Sequence, residues 1–416
     1  MNRKPRILLI PNVAWWIIGE MGKQIIARFG HKYDFYFIPE GLFERRPELL
    51  DAFLPAVDAV HCLNESSIDL FRNRDPDTLP PIATWIHHVT TWSRQHQLSA
   101  ELSSAITVCT EGWKQYLTSH HSVHTPITVV PHGVDSGFFH KRQVAGERFG
   151  IPPGRFALGF IGAKGSDADG GRKGTDILLN VIRRAAVQVP NLHVVLGGPG
   201  WEQELTGLRQ LGISVSATGY IPKSDLAALY SALDAYLLTS RVEGGPCTVF
   251  EAMACNTVVI ATRVGAVPDL IVDGENGYSA TVDDVESLVA AVVKVGTSPN
   301  LRQQLGQRAR ETVVRLPWST VLTPLENVYD QLVRSRRGAP VQGPHWMTQP
   351  NGILHTASAA DALANVINRI RKKTVTPVGG LRLLMEMLDR KSPLDVVRGL
   401  AMLRGLTYKT PRSLPS

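Results

Sequence analysis

Cysteine is scarce: Cys62, Cys109, Cys247 and Cys255 are widely spaced in 416 residues and form no Cys-x-x-Cys pair. That leaves no basis for a disulfide framework or a zinc knuckle, and a reducing cytoplasm is the expected compartment. Long hydrophobic runs are missing too, since none approaches the ~18–20 apolar residues needed to cross a bilayer. Met1–Ile10 is a short basic lead into an apolar stretch without a small-residue cleavage site, so it reads as a first strand rather than a signal peptide. Repeats and low-complexity tracts are absent. The single histidines His31, His61, His120, His121 and His124 have no metal-ligand spacing and read as surface or packing residues.

What remains is ordinary globular composition, 44% hydrophobic and 19% charged, in a chain too long for one typical domain. The net charge of +7 is unevenly placed. Residues 341–416 carry 11 Lys/Arg against 4 Asp/Glu, while the first 340 residues balance at 33 of each. Short apolar runs alternate with helical patterns: Arg6–Ile10, Tyr33–Ile38, Val57–Cys62, Ile82–Ile86, Ala105–Cys109 and Ile127–Val130, then Phe156–Ile161, His193–Leu196, Ser214–Ala217, Ala235–Leu238 and Val258–Ala261. Continuous apolar strands between helices predict two α/β domains with buried parallel sheets. The expected division is 1–138 and 155–317, a helix over 318–337 that closes the second unit, a Pro/Gly-rich linker over 338–352 and a basic helical tail over 353–416.

The densest chemical signal is Glu243-Gly-Gly-Pro-Cys-Thr-Val-Phe-Glu251, which follows the run Ala235–Leu238. A glycine loop leading into a helix presents unpaired N–H groups and a positive dipole end, which suits a diphosphate. Glu251 can accept hydrogen bonds from a ribose diol, and Glu243 from sugar hydroxyls. Gly171-Arg172-Lys173-Gly174 adds a cationic pair at another strand-to-helix turn, able to neutralise a leaving diphosphate. Gly197–Gly200 and Gly219-Tyr220-Ile221-Pro222 end the two following strands, where nucleotides bind in such sheets. Each glycine loop alone is more often a tight turn; four at one sheet edge form a site.

With these marks, residues 1–337 resemble the retaining glycosyltransferases of group 4, the glycogen-synthase-like and mannosyltransferase-like family with two facing Rossmann-like domains (GT-B). Val130-Pro131-His132-Gly133-Val134-Asp135, Gly265–Asp269 and Asp273–Gly277 carry the likeness further, as do Gly19–Gly22 and Pro81–His87 in the first domain. The resemblance implies sugar transfer from a nucleotide-diphosphate sugar to an acceptor hydroxyl, with retention, no metal and no further cofactor. It implies Lys173 on the diphosphate, Glu251 on the ribose, Glu243 on the sugar, and backbone of Gly244, Gly245 and Cys247 on sugar and phosphate. Gly198 and Tyr220 would line the nucleotide side. His87 would reach the donor sugar from across the cleft, and Gly19 would admit the phosphate.

The chain also departs from that family. Ala163 follows Gly162 where an arginine is usual, so Lys164 or Arg172 is expected to supply the missing charge. His88 stands where a carboxylate is frequent, and Asp269 where glutamate is common. Asp167-Ala168-Asp169 imitates a metal-binding pair but sits in a chain matching the metal-free fold. Trp15-Trp16 suits either sugar stacking or plain packing. The tail suits docking on an anionic membrane, hence a lipid-linked acceptor, or equally a cover for the first domain or a second subunit. Polysaccharide and small-molecule acceptors stay open, and no motif supports nucleic acid. The rival readings are a non-catalytic nucleotide-sugar-binding scaffold, a GT-B epimerase, and a phosphorylase, for which no pyridoxal-phosphate lysine context is present.

Overall fold

A computed structural model describes residues 3–14, 17–164 and 171–336. Trp15-Trp16, Asp167-Ala168-Asp169, the linker and the basic tail lie outside the described residues. The first domain holds β1 (Arg6–Ile10), β2 (Asp34–Phe37), β3 (Ala59–Cys62), β4 (Ile82–Trp85), β5 (Ala105–Val108) and β6 (Ile127–Val129). The second holds β7 (Phe156–Ile161), β8 (Leu192–Gly197), β9 (Ser214–Gly219), β10 (Ala235–Leu238), β11 (Val258–Thr262) and β12 (Tyr278–Ala280).

Both sheets are parallel, in the orders β2-β1-β3-β4-β5-β6 and β12-β11-β10-β7-β8-β9. The runs Ala59–Cys62, Ile82–Trp85 and Val258–Thr262 are buried at every position, because helices cover both faces of a parallel sheet. Strand β12, three residues at a sheet edge, has too short a run to read from sequence. Among the described residues no helix is long and apolar enough to cross a membrane.

The chain crosses between domains twice, and the two crossings run side by side: Val134 N–H donates to the Leu316 carbonyl at 3.1 Å. After the return, the expected single closing helix is instead two, Trp318–Val321 and Pro324–Ser335. Pro324 lacks an N–H and clashes with a preceding turn, so it tolerates only a helix start. The second correction concerns where they pack. Val321, Leu325, Val328, Tyr329 and Leu332 join Ile7, Phe29, Tyr33 and Phe35 in the core of the first domain, so these helices close the first unit rather than the second.

Leu325 is fully buried in that core. Leu325→Ala is expected to cost about 3 kcal/mol, from lost transfer energy plus the cavity left behind. Urea unfolding followed by intrinsic tryptophan fluorescence checks it; a loss well under 1 kcal/mol would argue against the packing described.

Candidate donor site at the domain interface

Strand β10 ends at Leu238, and the loop after it leads into the helix Cys247–Ala254. Glu243 lies in this loop, 8% exposed. Its Oε1 accepts from Lys173 Nζ at 2.6 Å and from Ser240 Oγ at 2.8 Å, and Arg172 Nη1 stands 3.3 Å from Oε2. Burial pushes the carboxyl pKa up, but Lys173 and Arg172 outweigh it and hold the group below the usual range. The two cations arrive on the loop after β7, which is fastened to the β10 loop. Arg241 N–H donates to the Arg172 carbonyl at 2.7 Å, and Thr239 Oγ1 to that of Lys173 at 3.2 Å. Gly174 makes this possible: its φ is +59°, and a Cβ there would lie 1.9 Å from the Thr239 carbonyl oxygen.

Of the two candidates for the missing arginine, Arg172 joins this cluster. Lys164 does not; it pairs with Glu204 on the helix Glu202–Gln210. Glu251 lies in the second turn of the helix Cys247–Ala254 and accepts from Tyr230 O–H at 2.8 Å. Burial pushes its carboxyl up to about 7 against that hydrogen bond. Cys247 opens the same helix, its thiol pushed up by burial. Gly198 N–H donates to the Gly219 carbonyl at 2.8 Å, joining two of the glycine loops, and Tyr220 beside them is exposed. Gly19 is buried in the helix Ile17–Phe29, against the Ala14 carbonyl.

The first domain meets this loop directly. A Cβ on Gly244 would lie 2.0 Å from the His87 carbonyl oxygen, and one on Gly245 would lie 2.6 Å from His132 Cβ. His87 engages both ring nitrogens within its own domain. Nε2 donates to the Leu63 carbonyl at 2.9 Å, and Nδ1 stands 3.9 Å from Cys109 Sγ. Burial lowers its pKa to about 4, so the ring is neutral at pH 7, and its carbonyl is what rests against the donor loop. His88, also lowered to about 4, first by burial and then by Arg172, faces the cationic cluster.

Sequence reasoning missed three contributors. Trp113 Nε1 donates to the Glu243 carbonyl at 3.0 Å across the interface, and Lys223 bonds Glu20 from the opposite domain. Neither bears a motif that could have revealed it. Ser240, three residues before Glu243, left one signal that could have found it, a hydroxyl close in sequence to that acid. Among the described residues no three His, Cys, Asp or Glu side chains are grouped so as to hold a metal ion.

Two loops carrying a buried carboxylate and paired cations meet at the carboxyl ends of a parallel sheet and against a second such domain. Comparison with known proteins points to a class. Residues 168–312 match the family "Glycosyl transferases group 1". The D-inositol 3-phosphate glycosyltransferase of Stackebrandtia nassauensis is 26% identical over 60% of this chain and 59% of its own. The lipopolysaccharide core biosynthesis mannosyltransferase LpcC of Rhizobium leguminosarum bv. viciae is 28% identical over 51% of this chain and 62% of its own. The chain thus spans about three-fifths of these relatives. Anabaena Alr3699/HepE, solved with UDP, superposes with a TM-score of 0.63 at 15% identity, over 78% of this chain and 100% of its own. The second domain thus resembles the group 1 glycosyl transferases, and the described residues of the two domains have the GT-B fold.

Two outcomes follow. Gly174→Ala forces a side chain into a positive-φ position against a carbonyl, and is expected to destabilise by about 2 kcal/mol or more, read as a lower Tm. Acid should also destabilise the protein. Burial holds His61 and His132 at about 3, and His87, His88 and His193 at about 4, below their unfolded value. Between about pH 6.5 and 4 the unfolded chain therefore binds more protons, and stability falls with pH. Glu65 and Glu251, raised to about 7, oppose this but are outnumbered. A Tm that rises from pH 7 to pH 4.5 would contradict the balance.

Proposed function

We propose that this chain is a glycosyltransferase that moves a sugar from a nucleoside-diphosphate sugar to an acceptor hydroxyl, with retention of configuration and without a metal ion. The observation that carries the reading is the buried Glu243 clasped by Lys173 and Arg172 on two loops that meet at the domain interface. In the structure the carboxylate is the counter-charge of the two cations. A diphosphate would take over that role for Lys173 and Arg172. Glu243 would then be released toward sugar hydroxyls, while the cations stabilise charge growing on the leaving group. Glu251, in the second turn of the helix, is the group offered to the ribose.

The family of the second domain and the UDP-bound neighbour of the same fold support this donor class. Retention and metal independence come from the family likeness of Lys173, Glu243 and Glu251. The four cysteines, all free, suit a reducing cytoplasm, and attachment to the inner membrane face belongs to the same proposal.

The test is a thermal-shift screen of the chain against UDP-, GDP-, ADP- and TDP-sugars, followed by transfer assays. A ligand that binds only the folded state must raise Tm. One donor class is expected to do so, and Lys173→Ala is expected to abolish the shift and lower turnover about 10²–10³-fold. A folded Lys173→Ala variant that transfers sugar normally would remove the assignment of the site. Binding without turnover on any acceptor would favour a donor-binding scaffold, and release of a rearranged nucleotide sugar an epimerase.

A further inference from the structure

Beneath the first sheet lies a polar group that packing does not explain. His61, on β3, is fully buried among apolar side chains. Its Nδ1 shares a hydrogen bond of 2.9 Å with the Tyr329 hydroxyl, and its Nε2 has no partner among the described residues. A leucine or phenylalanine would fill this place without the cost of burying a half-satisfied imidazole.

The rings around it are ordered in a column. The planes of His61 and Trp85 lie within 1° of parallel with centroids 5.9 Å apart, and those of Trp85 and His87 within 9° at 5.5 Å. Both spacings are those of offset stacking. The foot of the column is rigid, because the Tyr329 ring is held edge-on by Phe29, Tyr33 and Phe35 at 6.1, 5.6 and 5.9 Å. At its head, His87 Nε2 donates to the Leu63 carbonyl; a carbonyl only accepts, so the proton sits on Nε2 and Nδ1 keeps its lone pair toward the Cys109 thiol.

We propose that Tyr329, His61 and Trp85 are positioning residues for His87, a stack through which the helix returning from the second domain fixes the tilt of the imidazole whose tautomer the Leu63 carbonyl sets. Tyr329 belongs to the helix Pro324–Ser335, which the chain reaches only after completing the second domain. The stack therefore ties the acceptor-side histidine to the same segment that joins the domains. Its catalytic consequence rests on the function proposed above, but the geometry of the column does not.

The experiment uses the full chain and two independent readouts. Imidazole ¹⁵N spectra of the wild type are expected to show His87 as the neutral Nε2–H tautomer. Tyr329→Phe removes one oxygen atom and is expected to move the His61 and His87 signals. In the same variant kcat should fall about tenfold, as a small misplacement of a cleft group costs rate. The Tm shift given by UDP-glucose or GDP-mannose, bound in the other domain, should be unchanged. Wild-type His87 in the Nδ1–H form, or His87 signals indifferent to Tyr329→Phe, would overturn the proposal. Should the variant not fold, His61→Gln, which removes the ring stacked on Trp85, takes its place, and unmoved His87 signals there would overturn the proposal. Absence of turnover in the wild type would count against the proposed glycosyl transfer, while the spectra still judge the column.

Discussion

Everything at the cluster between the domains depends on a carboxylate kept charged out of water. Glu243 is nearly inaccessible, and an isolated buried carboxylate would sooner take up a proton than remain ionised. Lys173 and Arg172 prevent this. At an effective dielectric of ~20, one such pair at contact distance is worth about 4 kcal/mol, several times a solvated surface pair. The cluster carries one positive charge in excess, so it is prepared for an anion more negative than the one it already holds.

That charge balance also explains the backbone around it. The cations reach Glu243 only because the β7 and β10 loops are fastened by hydrogen bonds to the Arg172 and Lys173 carbonyls. Gly174 and Gly244 are required where backbone meets backbone too closely for a Cβ. The same loop is the contact with the first domain, through the His87 carbonyl and Trp113. Donor loop and domain placement are thus one constraint. The returning helices add to it, since they leave the second domain and complete the core of the first.

The strands and most helices were legible because parallel sheets demand unbroken apolar runs, and this chain supplies them. The strand Tyr278–Ala280 was not, because three residues at an edge leave no periodic signal. Lys173, Arg172, Glu243 and Glu251 were legible because glycine loops mark strand ends chemically, whatever the packing. Trp113 and Tyr329 were not, because nothing local distinguishes a tryptophan or tyrosine that reaches across an interface from one that fills a core.

The sequence by itself determined two α/β domains, the edge of the second sheet that carries the charge, and the acidic and basic residues that line it. These follow from period, glycine placement and residue type, which are local properties. Only the tertiary structure decided that Arg172 and not Lys164 joins Lys173, that the last helices belong to the first domain, and that His87 turns its carbonyl rather than a free ring nitrogen to the donor loop. Each of these depends on which side chains meet across a hundred residues or more of intervening chain, or on which neighbour reaches a charge first, and no local pattern encodes that.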